Sequence, residues 1–239
     1  MLILSMDTSG SQGTVALLGA PEQNQAHDSL RTLGQITLSG GRCSELLLPS
    51  ITELLKEQGA PKDALSLITL AIGPGSFTGL RVAVATVKAL AEIFATPVVA
   101  VSVLEAVAAA AATSGRVLAV LDAHRSEVFF GEYIVGANAP AQCLHESLST
   151  FAAFAGALAA PAERPAIATP DEIVATRLGE MNIPAQLLRR PEAADYARIG
   201  LLHFHSGLTS DTATLDANYL RCSDAELFSA PKLGIVGHR

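Results

Sequence analysis

No cluster of basic residues interrupts this chain of 239 residues. Lys and Arg number 16 against 23 Asp and Glu, a formal charge of −7, and Arg189-Arg190 is the one adjacent basic pair. Phosphate neutralisation supplies much of the affinity for nucleic acid, so an acidic chain without a basic stripe is a poor lone binder of RNA or DNA. Cysteine is scarce as well. Cys43, Cys143 and Cys222 are odd in number and far apart, so neither a disulfide framework nor a CxxC metal pattern follows. A reducing cytosol is the natural compartment. The apolar run 103–112 contains Glu105 and falls far short of the ~20 residues a membrane helix needs. The start, MLILSMD, lacks the basic opening and long apolar core of a signal peptide. The histidines include no His-x-x-x-His pair. His203 and His205, two apart, fall on different faces of a helix, and His27 and His145 lie in weakly patterned segments. A metal site, which needs at least three ligands, is not expected.

What the chain does have is apolar residues, 49% of the total, ample for a packed core in one large domain or two small ones. The most ordered stretch is Leu65 to Val101. An apolar run, Leu65–Ile72, meets the turn Gly73-Pro74-Gly75-Ser76, then a helical pattern from Phe77 to Ala95, then a β-branched run, Val98–Val101. Strand, turn, helix and strand in this order predict a βαβ unit with parallel strands. Glycine allows close backbone approach on either side of Pro74, and Ser76 suits an N-cap. The turn is either a plain strand-to-helix connection or an anion cradle at a helix N-terminus. It lacks the Lys-Ser/Thr that ends a P-loop. The helix is apolar nearly all round, so it should be buried on most sides, by its own domain or by another protein.

Taken in order, Leu2–Met6 and Thr14–Leu18 read as a hairpin about an Asp7-Thr8-Ser9-Gly10-Ser11 turn, and Gln35–Leu38 as a third strand. Ser44–Gln58 has helical spacing, with Pro49 expected to bend or interrupt it. Ser102-x-x-Glu105 has the form of a capping box and opens a helix. The order of elements then recurs. Val117–Asp122, an Asp122-Ala123-His124-Arg125 turn and Glu127–Ile134 lead to helices at about 150–160, 170–181 and 192–206. Thr169-Pro170-Asp171-Glu172 reads as a helix start with Pro170 in the first helical position. The fold class is therefore α/β, with tandem βββαβα halves and two lobes of mixed sheets. That is the plan of the actin-like ATPase and sugar-kinase superfamily, with Asp7 and Asp122 at equivalent turns facing a cleft. The expected division is an N-terminal lobe, 1–102, a C-terminal lobe, 103–191, and a last helix and tail, 192–239, returning to the N-terminal lobe.

Several stretches carry a resemblance. They are Ile3-Leu4-Ser5-Met6-Asp7-Thr8-Ser9, Ser44-Glu45-Leu46-Leu47-Leu48-Pro49, Gly73-Pro74-Gly75-Ser76-Phe77-Thr78-Gly79-Leu80-Arg81, Val101-Ser102-Val103-Leu104-Glu105, Asp122-Ala123-His124-Arg125-Ser126-Glu127-Val128 and Tyr219-Leu220-Arg221. In these the chain resembles the TsaB (YeaZ) family, the non-catalytic partner in bacterial synthesis of threonylcarbamoyladenosine in tRNA. Cys43 stands where that family often has histidine, and His124 where it usually has arginine. The resemblance implies a cytoplasmic scaffold or activator subunit, inactive alone, required by a complex that transfers a threonylcarbamoyl group to the adenosine next to the anticodon. It implies pairing with a TsaD-type catalytic subunit through the first two helices, a TsaE-type ATPase as a further partner, and tRNA contact only through the complex. No cofactor is expected on the chain alone, with ATP or ADP a candidate at the junction of the complex.

Candidate partner-facing residues are Leu47, Leu48, Ile51, Leu54 and Leu55 on the first helix and Leu80, Val84 and Val87 on the second. Alone, such a patch can pair with itself in a homodimer. No catalytic residue is assigned. Asp7, Thr8, Ser9, Gly75 and Ser76 are candidate nucleotide-binding residues, with an Asx-turn as the plain alternative for Asp7. The alternative function is a nucleotide-dependent phosphotransferase of the sugar-kinase type, which would use Asp7 and Asp122 in the cleft.

Overall fold

The computed structural model describes residues 1–20, 30–39, 41–61, 64–111, 113–158 and 165–221. His27, Cys222, the far end of the helix expected at 150–160 and the tail beyond Arg221 lie outside these. Two five-stranded mixed sheets form the frame. In the first, β1 (Leu2–Asp7) pairs antiparallel with β2 (Gly13–Gly19) and parallel with β4 (Leu65–Ala71). β3 (Arg31–Leu38) closes one edge beside β2, and β5 (Val98–Val101) lies parallel to β4. The second sheet repeats that path, with β6 (Gly115–Asp122), β7 (Glu127–Val135), β8 (Gln142–Thr150), β9 (Ala166–Thr169) and β10 (Gln186–Leu187). The apolar run Leu65–Ala71 is buried almost throughout because β4 is a central parallel strand covered on both faces.

Side-chain alternation sorts each sheet into two faces. On the first, Leu4, Met6, Val15 and Leu17 point towards α1 (Cys43–Glu57) and α2 (Phe77–Phe94). Ile3, Ala16 and Leu18 point the other way, into the largest cluster. That cluster also takes Val117, Ala119 and Leu121 from the second sheet and residues of α3 (Val103–Ala109) and α6 (Ala193–His205). Leu118 and Val120 face α4 (Phe151–Leu158) and α5 (Glu172–Glu180). The helices α3 and α6 thus fill the space between the two sheets, with α1 and α2 on one outside and α4 and α5 on the other.

Several polar groups inside this arrangement are matched. Ser5 Oγ donates to the Ala193 carbonyl at 2.5 Å and accepts from Thr69 Oγ1 at 2.7 Å. The Ala193 amide donates to Thr14 Oγ1 at 2.8 Å. These bonds explain buried hydroxyls in the middle of a sheet and seat the start of α6 on it. Gly200 meets Thr69, where a Cβ would overlap the threonine methyl.

The expected βββαβα order recurs in both halves, and each half continues with one more strand and helix, β5–α3 and β10–α6. Three local expectations are corrected. α1 runs unbroken through Pro49, whose exposed position lets water serve the carbonyl left without its amide partner. Ser102 caps α3 through the Leu104 amide, but Glu105 does not complete a capping box, because its carboxylate binds His203 at 2.6 Å. Asp171, not Pro170, borders α5 as its N-cap residue, and its side chain serves other partners. Among the described residues no helix is long and apolar enough to cross a membrane.

Candidate functional site

The Gly73–Ser76 turn sits directly on the Asp7–Ser9 turn. The Ser76 amide donates to the Ser9 carbonyl at 2.8 Å, and Thr8 Oγ1 donates to the Gly79 carbonyl at 2.8 Å. A Cβ at Gly75 would overlap the Ser9 carbonyl, and one at Gly79 the Thr8 carbonyl. These glycines therefore serve backbone-to-backbone approach. Ser76 caps α2, its Oγ accepting from the Gly79 amide at 3.3 Å.

Thr8, Ser9, Gly75 and Ser76 are thus brought together, at one wall of a cleft of about 650 Å³ between the lobes. Asp7 lies behind that wall, 4% exposed, and is not among the lining residues. Its Oδ1 accepts the Ser9 amide at 2.7 Å, the geometry of an Asx-turn. Burial pushes its carboxyl above the usual carboxylate range, outweighing the lowering effects of the Ser9 hydrogen bonds and the Arg190 charge. Ser9 Oγ and the Tyr196 hydroxyl are buried beside this carboxyl, neither of them in a well-formed hydrogen bond among the described residues.

The opposite wall comes from the second lobe. Asp122 lines the cleft, its carboxylate accepting the His124 amide at 3.0 Å and facing His124 Nδ1 at 3.1 Å. Asp171 Oδ2 accepts the Asp122 amide at 2.8 Å, and its Oδ1 pairs with Arg190 at 3.3 Å. Cys43 is buried and lines the cleft, with Sγ 3.9 Å from the Leu38 carbonyl. Sequence reasoning missed Asp171, Arg190, Phe129 and Asn218 as lining residues. They come from separate elements, and no local motif joins them. Among the described residues no group of three His, Cys, Asp or Glu side chains could hold a metal ion.

The helix faces require a correction. Leu47, Ile51, Leu54, Leu55, Leu80, Val84 and Val87 are all buried in the chain's own core. They pack α1 and α2 onto the first sheet and are not free to meet a partner. Leu48 alone of the eight is exposed, at 56%. The outward face of α2 carries Ala85, Ala89 and Ile93, spaced four apart and exposed, with Val82 half-buried beside them. Ile93 is 70% exposed.

The sequence profile of the family described as TsaD, tRNA N6-adenosine threonylcarbamoyltransferase, matches residues 38–204. The tRNA threonylcarbamoyladenosine biosynthesis protein TsaB of Bacillus subtilis is 36% identical over 135 residues, covering 56% of this chain and 55% of that protein. The TsaB protein of Haemophilus influenzae is 32% identical over 137 residues, covering 56% of this chain and 54% of that one. The chain thus spans about half the length of these curated relatives. The solved structure of YeaZ from Pseudomonas aeruginosa is 25% identical with a TM-score of 0.65, over 91% of this chain and 100% of that one. With the family profile matching well over half of its length, the chain belongs to the TsaD-like proteins, as a member of the TsaB (YeaZ) family.

Proposed function

We propose that this chain is a non-catalytic subunit of the cytoplasmic machinery that makes threonylcarbamoyladenosine in tRNA. It pairs with a TsaD-type catalytic subunit through the outward face of α1 and α2, and a TsaE-type ATPase joins the pair. The observation that carries this reading is the row Ala85, Ala89 and Ile93 on α2, with Leu48 exposed on the neighbouring α1. Two alanines in line let another helix approach closely, and Leu48 and Ile93 are exposed apolar side chains able to anchor it. Without a partner, the same face pairs with a second copy about a two-fold axis. The names of the TsaB relatives supply the pathway.

The reading as a sugar-kinase-type phosphotransferase has less support. Asp7, its required acid, lies behind the cleft wall with one carboxylate oxygen engaged by Ser9. On the proposed reading the isolated chain neither turns over ATP nor holds tRNA at physiological salt, its net charge of −7 opposing phosphate contact. ATP or ADP, where the complex takes one, sits at the subunit junction. The test is a reconstituted tRNA modification assay with TsaD-type and TsaE-type proteins, with and without this chain. Modification should require it. ATP hydrolysis by the isolated chain that disappears in Asp7→Ala would favour the phosphotransferase.

A further inference from the structure

The segment Asn218–Arg221 crosses from one lobe to the other at the mouth of the cleft, and it touches the start of α2. On the first-lobe side, the Asn218 amide donates to the Ile72 carbonyl at 2.7 Å, just before the Gly73–Ser76 turn. The Asn218 carbonyl lies against Gly73, a residue held at φ 109°, where a Cβ would come within 3.1 Å of it. The Tyr219 ring stacks on Phe77, the first residue of α2, with centroids 5.1 Å apart and planes 18° apart. Arg81, one turn along the helix, donates from Nε to the Tyr219 hydroxyl at 3.0 Å, and its guanidinium lies 5.5 Å from the Tyr219 ring centroid.

On the second-lobe side the same segment is held twice. Arg221 Nη2 donates to the Ala123 carbonyl at 2.9 Å and to the Glu127 carboxylate, and its guanidinium lies 5.6 Å from the Phe129 ring centroid. The Asn218 side-chain amide donates to Glu146 on β8. Glu146 in turn accepts from Tyr133 and from Ser102, the cap of α3. Burial and the neighbouring Glu146 push the Tyr133 phenol far above its ordinary range, so it remains a donor to that carboxylate.

We infer that residues 218–221 form a cross-lobe strap, anchored on the second lobe by Glu127 and Glu146, that positions the first turns of α2. The Phe77–Tyr219–Arg81 stack is where the strap bears on α2 side chains, and its two flanks are fixed by carboxylates of the other lobe. A change in lobe spacing is thereby transmitted to the helix start through contiguous bonded groups. The strap goes beyond the proposed function, since it describes how α2 is held whatever docks against it.

The test is hydrogen exchange on the full chain, comparing amides of Leu80–Val84 with those of the central strand β6. Local opening free energies differ across a fold, so loss of an anchor should show locally. Arg221→Ala should speed exchange at the start of α2 by about tenfold, with β6 unchanged. Lys88→Ala removes a contact from α2 to Ala213, outside the strap, and should leave that ratio as it was. If Arg221→Ala does not fold, Glu127→Gln decides, since it removes the charge of the anchor and leaves an acceptor. Unchanged exchange at Leu80–Val84, or equal acceleration of both regions, would overturn the strap.

Discussion

Thr8 and Gly79 are packed backbone to backbone. Thr8 Oγ1 bonds to the Gly79 carbonyl at 2.8 Å, and the Thr8 carbonyl fills the space that a Cβ at position 79 would need. Alanine is ordinarily better than glycine inside a helix, by about 1 kcal/mol. Here the obstacle is backbone and cannot rotate away. Gly79→Ala should therefore destabilise by roughly 1–3 kcal/mol, a fall in Tm of about 2–12 °C for a chain of this size. A Tm unchanged or raised by scanning calorimetry would show that the two turns are not in contact.

Asp7 makes stability depend on pH. Its folded carboxyl is raised above 3.8, chiefly by burial. The native state therefore holds a proton that the unfolded state has released, and the stabilisation present below about pH 3.8 is lost as pH rises through the folded value. Asp7→Asn keeps an oxygen for the Ser9 amide and has no charge to bury. The Tm of Asp7→Asn minus that of the parent should grow between pH 4 and pH 7.5. A difference that shrinks or stays flat contradicts the burial of Asp7.

His203 and Glu105 join α6 to α3 at 2.6 Å, both largely buried between the sheets. Removing one partner leaves the other without its bond in an apolar layer. His203→Leu and Glu105→Leu should each cost about 3 kcal/mol, and the double variant should recover most of that loss. Additive losses in urea unfolding would show that the pair is not coupled.

Ile51→Glu and Val84→Glu should unfold the protein, since both residues lie in the core beneath α1 and α2. Leu48→Glu and Ile93→Glu should leave the circular dichroism spectrum as it is, because both side chains face outward. A folded Ile51→Glu protein would reverse the assignment of helix faces.

The contrast between Val84 and Ile93 also marks what could be read in advance. The βαβ unit was legible because a β-branched run, a glycine turn and a helical pattern follow one another without interruption. Which side of α2 faces inward was not, because periodicity cannot choose between stripes that are both apolar. Glu105 looked like half of a capping box, yet its partner His203 stands 98 residues away. The βββαβα order is legible in both halves, and the strand and helix that follow it in each are legible too, since Val98–Val101 is β-branched and 192–206 has helical spacing. Thr8, Ser9, Gly75 and Ser76, named from two turn motifs, lie side by side at the cleft, while Asp7, named with them, lies behind its wall. Asp171, Arg190 and the strap depend on long-range contacts that leave no local pattern.

The proposed binding of a partner by the outer face of α2 is tested most directly by sedimentation velocity of this chain mixed with a TsaD-type protein, comparing the parent with Ala89→Arg. Arginine in that row places a long charged side chain where two helices would meet, and losses at the centre of an interface exceed about 2 kcal/mol, some thirtyfold in Kd. The parent should sediment as a homodimer alone and as a heterodimer with the partner, while Ala89→Arg, folded by circular dichroism, remains a monomer in both. A heterodimer of undiminished affinity formed by Ala89→Arg would contradict the assignment of this face.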